Sequence, residues 1–259
     1  MSDGDTRFAG SIPAFYDHYL GPLLFAPYAA DLAARAAALG PERILETAAG
    51  TGIVTAALAN ALPAAEIVAT DLNQAMLDVA AGALPAIDFR QADAQALPFA
   101  DAEFDLVVSQ FGVMFFPDRI GAYAEARRVL RPGGAFLFNA WDRLERNPVT
   151  AAVGDALAAH FPGDPPSFYK RIPFGYHDPA RIEADLRAAG FTGIAIETVG
   201  LSSRVDARAA ATGLCQGTPL RAEIEARGDL AEATAIAMAA LASVDGKDAP
   251  MSALVATAR

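Results

Sequence analysis

A chain of 259 residues suits one domain with elaborations, or one domain and a small lid. Apolar residues make up 53 %, enough for a sizeable core, yet no stretch reaches the length of a membrane span. The formal net charge of −11 argues against a nucleic-acid partner, because phosphate binding needs clustered Lys and Arg. It directs expectation to a small uncharged or cationic substrate.

The single cysteine, Cys215, rules out an internal disulfide, and His18, His160 and His177 lack the spacing of metal ligands. No metal is expected. The opening MSDGDTRFAG is polar, without the basic start or apolar run of a signal peptide, so a cytoplasmic protein is expected.

Residues 12–39 carry apolar positions at mixed three and four spacing and predict helix, with breaks at Gly21-Pro22 and Pro27. After Pro41 the pattern changes. RILETAAGTG predicts a buried strand running into a small-residue loop, and IVTAALANAL a helix. EIVATD reads as a second strand ending in an acid, NQAMLDVAAGA as a helix and IDFRQAD as a third strand. A fourth strand is centred on Leu106–Ser109 within DAEFDLVVSQFGVMFF. IGAYAEARRVL is helical, RPGG a turn and AFLFNAW a fifth strand. Arg127, Arg128 and Arg131 gather at the end of that helix, where cations complement the dipole, and read as structural.

Strand and helix alternate five times between residues 43 and 141, which predicts an α/β, Rossmann-like, doubly wound sheet. The apolar runs are continuous, as when helices cover both faces. Beyond Trp141, helices are expected near 148–160 and 179–189, with a Pro- and aromatic-rich loop between them. IAIETVGL makes a sixth strand, two helices occupy roughly 206–242, and SALVATA closes the chain as a seventh strand. The sheet is expected to be mostly parallel with an antiparallel last strand. On this reading residues 1–40 form a helical lid, 41–141 the ligand-binding core, and 142–259 the rest of the sheet with helical insertions capping a substrate.

Ligands of open α/β sheets sit beyond the carboxyl ends of the strands, where strand order reverses. The first such end here carries Glu46 followed by Ala48, Gly50 and Gly52, the last three small enough to let a ligand approach the backbone. Asp71 follows about 20 positions later, the usual distance for a carboxylate that holds two ribose hydroxyls. Asp93 ends the third strand, within reach of an adenine amino group. A dinucleotide fingerprint would place a third glycine at position 55, where this chain has Thr55.

LETAAGTG, ATDLNQAML, QADAQALPFADAEFDLVVSQFGVMFFPD and RVLRPGGAFLF together resemble the motifs of class I methyltransferases, notably the group containing quinone C-methyltransferases and many small-molecule O- and N-methyltransferases. The resemblance covers about residues 40–140, and Tyr16-Asp17 resembles that group's lid. It departs at Ala48, where the group has glycine. The resemblance implies S-adenosylmethionine (SAM) as cofactor. It places Glu46 near the amino group of the methionine moiety, with Ala48, Gly50 and Gly52 lining that moiety. Asp71 would hold the ribose, Leu72 and Met76 would pack on the adenine, and Asp93 with the Ala94 N–H would meet the adenine edge. Gln110 and Phe111 would floor the site near the sulfonium, with Tyr16 in the lid above it.

Methyl transfer from a sulfonium is an in-line displacement that asks for alignment, exclusion of water and sometimes a base. His18 in the lid and His177 in PFGYHD are the candidate bases, since a histidine titrates near neutrality. Tyr19, Phe115, Trp141, Phe174 and Tyr176 are the candidate substrate contacts, pointing to an apolar or aromatic small molecule, or to an amine met by cation–π contact. Two other readings stand beside this one: a SAM-binding accessory protein without catalysis, and a nucleotide-dependent oxidoreductase on the same sheet. A homodimer is compatible with all three.

Overall fold

The computed structural model describes residue 10 and residues 12–259. The part of the expected lid at 1–9 and 11 lies outside the described residues. The chain begins with a short helix, α1 (Ile12–Phe15), which runs into a π-helical segment, Tyr16–Phe25, and then α2 (Ala26–Leu39). The expected break at Gly21-Pro22 therefore falls inside continuous helix, and that at Pro27 stands just past a change of helical pitch. Pro22 is accommodated inside the wider π turns and Pro27 stands in the first turn of α2, where its missing N–H costs nothing. Gly40, left-handed at φ +62°, ends α2.

Five strands and three α-helices follow. They are β1 (Arg43–Thr47), α3 (Ile53–Ala61), β2 (Glu66–Asp71), α4 (Gln74–Ala83), β3 (Asp88–Gln91), β4 (Phe104–Gln110), α5 (Arg119–Val129) and β5 (Leu130–Trp141). RPGG is not a turn before β5. It is an irregularity inside the strand, across which the pairing jumps from Phe104↔Leu130 to Leu106↔Ala135. After β5 come α6 (Pro148–His160), α7 (Phe168–Arg171), α8 (Pro179–Ala188) and β6 (Ile194–Arg204). Three helices rather than two precede the last strand: α9 (Ala207–Gln216), α10 (Leu220–Glu225) and α11 (Leu230–Ala240), then β7 (Asp248–Ala258).

The seven strands form one sheet in the order β3-β2-β1-β4-β5-β7-β6, parallel except for β7, which runs antiparallel to both neighbours. Successive strand residues feed opposite faces. Ile44, Leu106, Val108, Ala135 and Leu137 pack against α2 and α3 through Leu32, Ala36, Val54 and Leu58. Leu45, Val107, Phe136 and Phe138 face the other way, into a core with Tyr123 and Val129 of α5 and Ile182 and Leu186 of α8. α9 packs on the π-helical segment and on α11, which also packs on α6, and their apolar residues join that same core. No helix among the described residues is long and apolar enough to cross a membrane.

Candidate active site

The strand order reverses between β1 and β4, and a cleft of about 560 Å³ opens beyond their carboxyl ends. Ala48, Gly50, Asp71, Leu72, Met76, Asp93, Ala94, Gln110, Phe111, Phe115 and Tyr16 all line it, brought together from four strand ends and the π-helical segment.

Local backbone chemistry explains the loop after β1. Gly50 has φ +58°, and its N–H donates to the Asp71 carboxylate at 2.9 Å. The other Asp71 oxygen accepts from the Asn73 N–H at 2.7 Å and so fixes the entry to α4. A Cβ on Gly50 would meet nothing nearer than Met76 Cε at 3.8 Å, so the space beside it belongs to the cleft. Ala48 is also left-handed, at φ 54°, a conformation costing about 1–2 kcal/mol for a residue with a Cβ. Its methyl lies where a side chain on Gly112 would have to go, so these two positions can hold one Cβ between them.

Two of the expected cofactor contacts stand elsewhere. Gly52, at φ +85°, is in packing contact with α4; a Cβ there would lie 3.1 Å from that of Ala80. Glu46 is 1 % exposed beneath the loop and accepts a 2.7 Å hydrogen bond from the Thr55 hydroxyl. Thr55 thus occupies the fingerprint's third-glycine position in order to serve this carboxyl. Burial pushes the Glu46 carboxyl up to about 8, with the Thr55 bond opposing and the Asp71 charge adding to the rise. Burial also raises Asp71, against the hydrogen bonds from Asn73 and Gly50.

The floor of the cleft is strained and aromatic. Phe111 sits at φ 50°, held by hydrogen bonds from its N–H to the Asn139 side-chain oxygen at 2.8 Å and carbonyl at 3.2 Å. Its ring stacks on Trp141 at 3.8 Å and 8°. Gln110 donates to the Phe25 carbonyl at 3.3 Å, while its Oε1 is buried without a partner. An unpaired buried acceptor costs about 1–3 kcal/mol, and an ammonium or a sulfonium dipole in the cleft would offset it. Leu72 is 53 % exposed on the cleft wall, an apolar surface that an adenine ring would cover. Asp93 accepts from the Gln95 backbone at 2.9 Å and from its side-chain amide at 3.1 and 3.2 Å.

A second cavity, about 60 Å³, adjoins the first and shares Tyr16, Phe111 and Phe115 with it. Leu20, Leu24 and Phe25 of the π-helical segment, Met114, Trp141, Phe168 and Phe174 enclose it. Tyr16 stacks on Phe25 at 4.7 Å, and its hydroxyl is pushed up by burial and by the Asp71 and Asp17 charges. Three of the five expected substrate contacts, Phe115, Trp141 and Phe174, thus meet in one place.

The remaining expectations are corrected by position. His18 is exposed, its ring against the edge of Tyr19 at 4.6 Å, and it lines neither cavity. Tyr19 is turned toward Phe15 and α9 instead. His177 Nδ1 is bonded to the Phe174 carbonyl at 2.7 Å, outside both linings. Tyr176 is fully buried and bonded to Tyr123 and Asp185. Among the described residues no histidine reaches the cleft. Sequence reasoning missed Arg119, Arg171 and Ile172 on the cleft wall, and Leu20, Leu24 and Met114 around the cavity. Arg119 carried a signal: a cation in the first turn of a helix opposes the dipole.

Comparison with known proteins agrees with this geometry. The family described as a methyltransferase domain matches residues 45–138. A demethylmenaquinone methyltransferase of Deinococcus radiodurans is 35 % identical over 177 residues, covering 61 % of this chain and 71 % of that protein. This chain belongs to the class I SAM-dependent methyltransferases. An uncharacterized protein of Mycobacterium tuberculosis is 42 % identical over 127 residues, and the match spans 42 % of its length, less than half. The YcgJ protein of Bacillus subtilis shares the fold at a TM-score of 0.60 and 16 % identity, over 90 % of this chain and 97 % of that one. The family's cofactor suits the cleft, whose unpaired Gln110 oxygen, exposed Leu72 and side-chain-free Gly50 match a cationic centre, an adenine and a close backbone approach.

Proposed function

We propose that this protein transfers a methyl group from SAM to a small apolar or aromatic molecule. The observation that carries this reading is the aromatic cavity that adjoins the cofactor cleft across Tyr16, Phe111 and Phe115. SAM supplies an activated methyl carbon. On this reading Asp71 and Asp93 hold the nucleoside end, and Phe111, stacked on Trp141, stands between the cofactor cleft and the acceptor cavity. Leu20, Leu24, Phe25 and Phe168 exclude water from the acceptor, which strengthens every electrostatic contact inside. Two hydroxyls of that cavity are already engaged: Tyr169 and Thr218 both donate to the Leu214 carbonyl, at 2.7 and 2.9 Å. Catalysis on this reading rests on alignment, which can be worth about 7–11 kcal/mol of the barrier.

Several relatives are named for quinone methylation, including demethylmenaquinone methyltransferase of Thermus thermophilus, 33 % identical over 170 residues. A reduced quinone is an apolar aromatic acceptor of the proposed kind. The test is deuterated-methyl SAM offered with a panel of phenols, quinols and arylamines, read by mass spectrometry. A labelled product from at least one aromatic acceptor is expected. SAM binding with no transfer to any of them would favour a non-catalytic SAM-binding protein.

A further inference from the structure

Part of the cleft wall is left over once the strand-end residues have been assigned to SAM. Pro117, Arg119, Arg171 and Ile172 form this stretch, beside Phe116. Arg119 opens α5, where the dipole disfavours it, yet it is held firmly. Its Nε donates to the Val113 carbonyl at 3.2 Å and one terminal nitrogen to the Met114 carbonyl at 2.9 Å. Its guanidinium carbon stands 4.3 Å from the centroid of the Tyr176 ring. Tyr176 is fixed in turn, donating to Asp185 at 2.7 Å and bonded to the Tyr123 hydroxyl at 3.3 Å. This stack is where the aromatic expected to touch the substrate has gone: it holds an arginine that reaches the cleft.

Arg119 has no carboxylate partner among the described residues, in a chain of net charge −11. Its neighbours do not serve as one. Asp93, on the same cleft, is engaged by the Gln95 amide, and Asp118 by the Gly121 N–H at 2.9 Å. Arg171 approaches the cleft from α7 and is tied to Glu223 at 2.8 Å, so it adds little net charge. A half-buried, immobilised guanidinium with only carbonyl partners is preorganised for a planar anion, which it would meet with charge-assisted hydrogen bonds.

Resting on the methyl-transfer reading above, we infer that the acceptor carries a carboxylate that docks on Arg119 while its apolar body enters the aromatic cavity. Arg119 then sets specificity, and Tyr176 positions it. The acidic surface and the apolar cavity alone would direct the choice to neutral or cationic acceptors; the one guanidinium on the cleft without a carboxylate partner among the described residues, that of Arg119, selects the opposite.

The test uses the full chain saturated with S-adenosylhomocysteine, titrated with aromatic acids and their shape-matched amides, para-hydroxybenzoate with para-hydroxybenzamide and caffeate with its amide. The acids should bind about tenfold more tightly, and high salt should erase that preference in the unmodified protein. Arg119→Met should abolish the preference, Arg119→Lys should keep part of it, and both should bind SAM as the unmodified chain does. Equal binding of acids and amides by the unmodified protein would overturn the inference, as would a preference that survives in Arg119→Met. A tenfold loss of SAM affinity in Arg119→Met would also overturn it, by assigning the guanidinium to the carboxylate of the cofactor. Failure of the unmodified protein to bind SAM would instead remove the reading beneath it, and the two failures are distinguishable.

Discussion

At the end of β1 the Glu46 carboxyl is enclosed beneath the cofactor loop with one hydroxyl, that of Thr55, for company. Burial raises it from 4.5 to about 8, so near neutral pH it holds its proton. The unfolded chain gives that proton up above about 4.5, whereas the folded chain keeps it until about 8. The stability this group contributes is therefore complete at acid pH and lost as pH rises toward 8. Glu46→Gln keeps the acceptor for Thr55 and removes the titration. Urea unfolding between pH 5 and 8 should show a slope reduced by close to one proton in the variant, with Asp71 supplying part of what remains. An unchanged slope would mean that Glu46 is ionised throughout. The sequence showed this residue at the correct strand end but pointed it at the cofactor. Burial under a loop depends on Thr55 and on the packing of α3, which strand-end position does not reveal. Asp71, Asp93, Gln110 and Phe111 were legible because a strand's carboxyl end fixes their address directly.

Elements show the same division between local and distant information. β1, β2 and α6 follow their sequence patterns nearly residue for residue, because continuous apolar runs and Gly or Pro punctuation mark both ends. The π-helical stretch Tyr16–Phe25 escaped, since mixed three and four spacing also describes ordinary helix and Gly21-Pro22 looks like a stop. Its placement depends on α9, far along the chain. A Cβ on Gly213 of α9 would stand 2.8 Å from Tyr19 Cβ and 2.6 Å from Leu20 Cδ2, so these side chains lie directly on the α9 backbone. Gly213→Ala should push the segment outward and loosen Leu20, Leu24 and Phe25 around the aromatic cavity. Hydrogen exchange over residues 16–25 should rise severalfold while exchange in β1, β4 and β5 stays constant. Equal exchange in both proteins would show that the segment is not anchored there. The histidines fell to the same limit: His18 lies on this segment but on its exposed side, and no local signal distinguishes the two sides of a π helix.

Across the whole molecule, one sheet with a reversal between β1 and β4 gathers loops from four strand ends at one cleft, and the π-helical segment, α7 and α9 help enclose an aromatic cavity beside it. Charge divides differently at this scale. A chain of net charge −11 still places Arg119, without a carboxylate partner among the described residues, on a cleft wall that Asp71 and Asp93 also line, so overall charge does not forecast the local charges of the site. The central claim is that this cleft binds SAM through the carboxylate that also locks its loop. Isothermal titration of SAM into the unmodified protein and into Asp71→Asn tests it most directly. Asp71→Asn loses charge toward the ribose and one acceptor for the Gly50 and Asn73 N–H groups, so it should stay folded with about 1 kcal/mol less stability. SAM should bind the unmodified chain at one site and the variant about 2 kcal/mol more weakly, roughly 30-fold. No SAM binding by the unmodified protein, or equal affinity in a folded Asp71→Asn, would contradict the account.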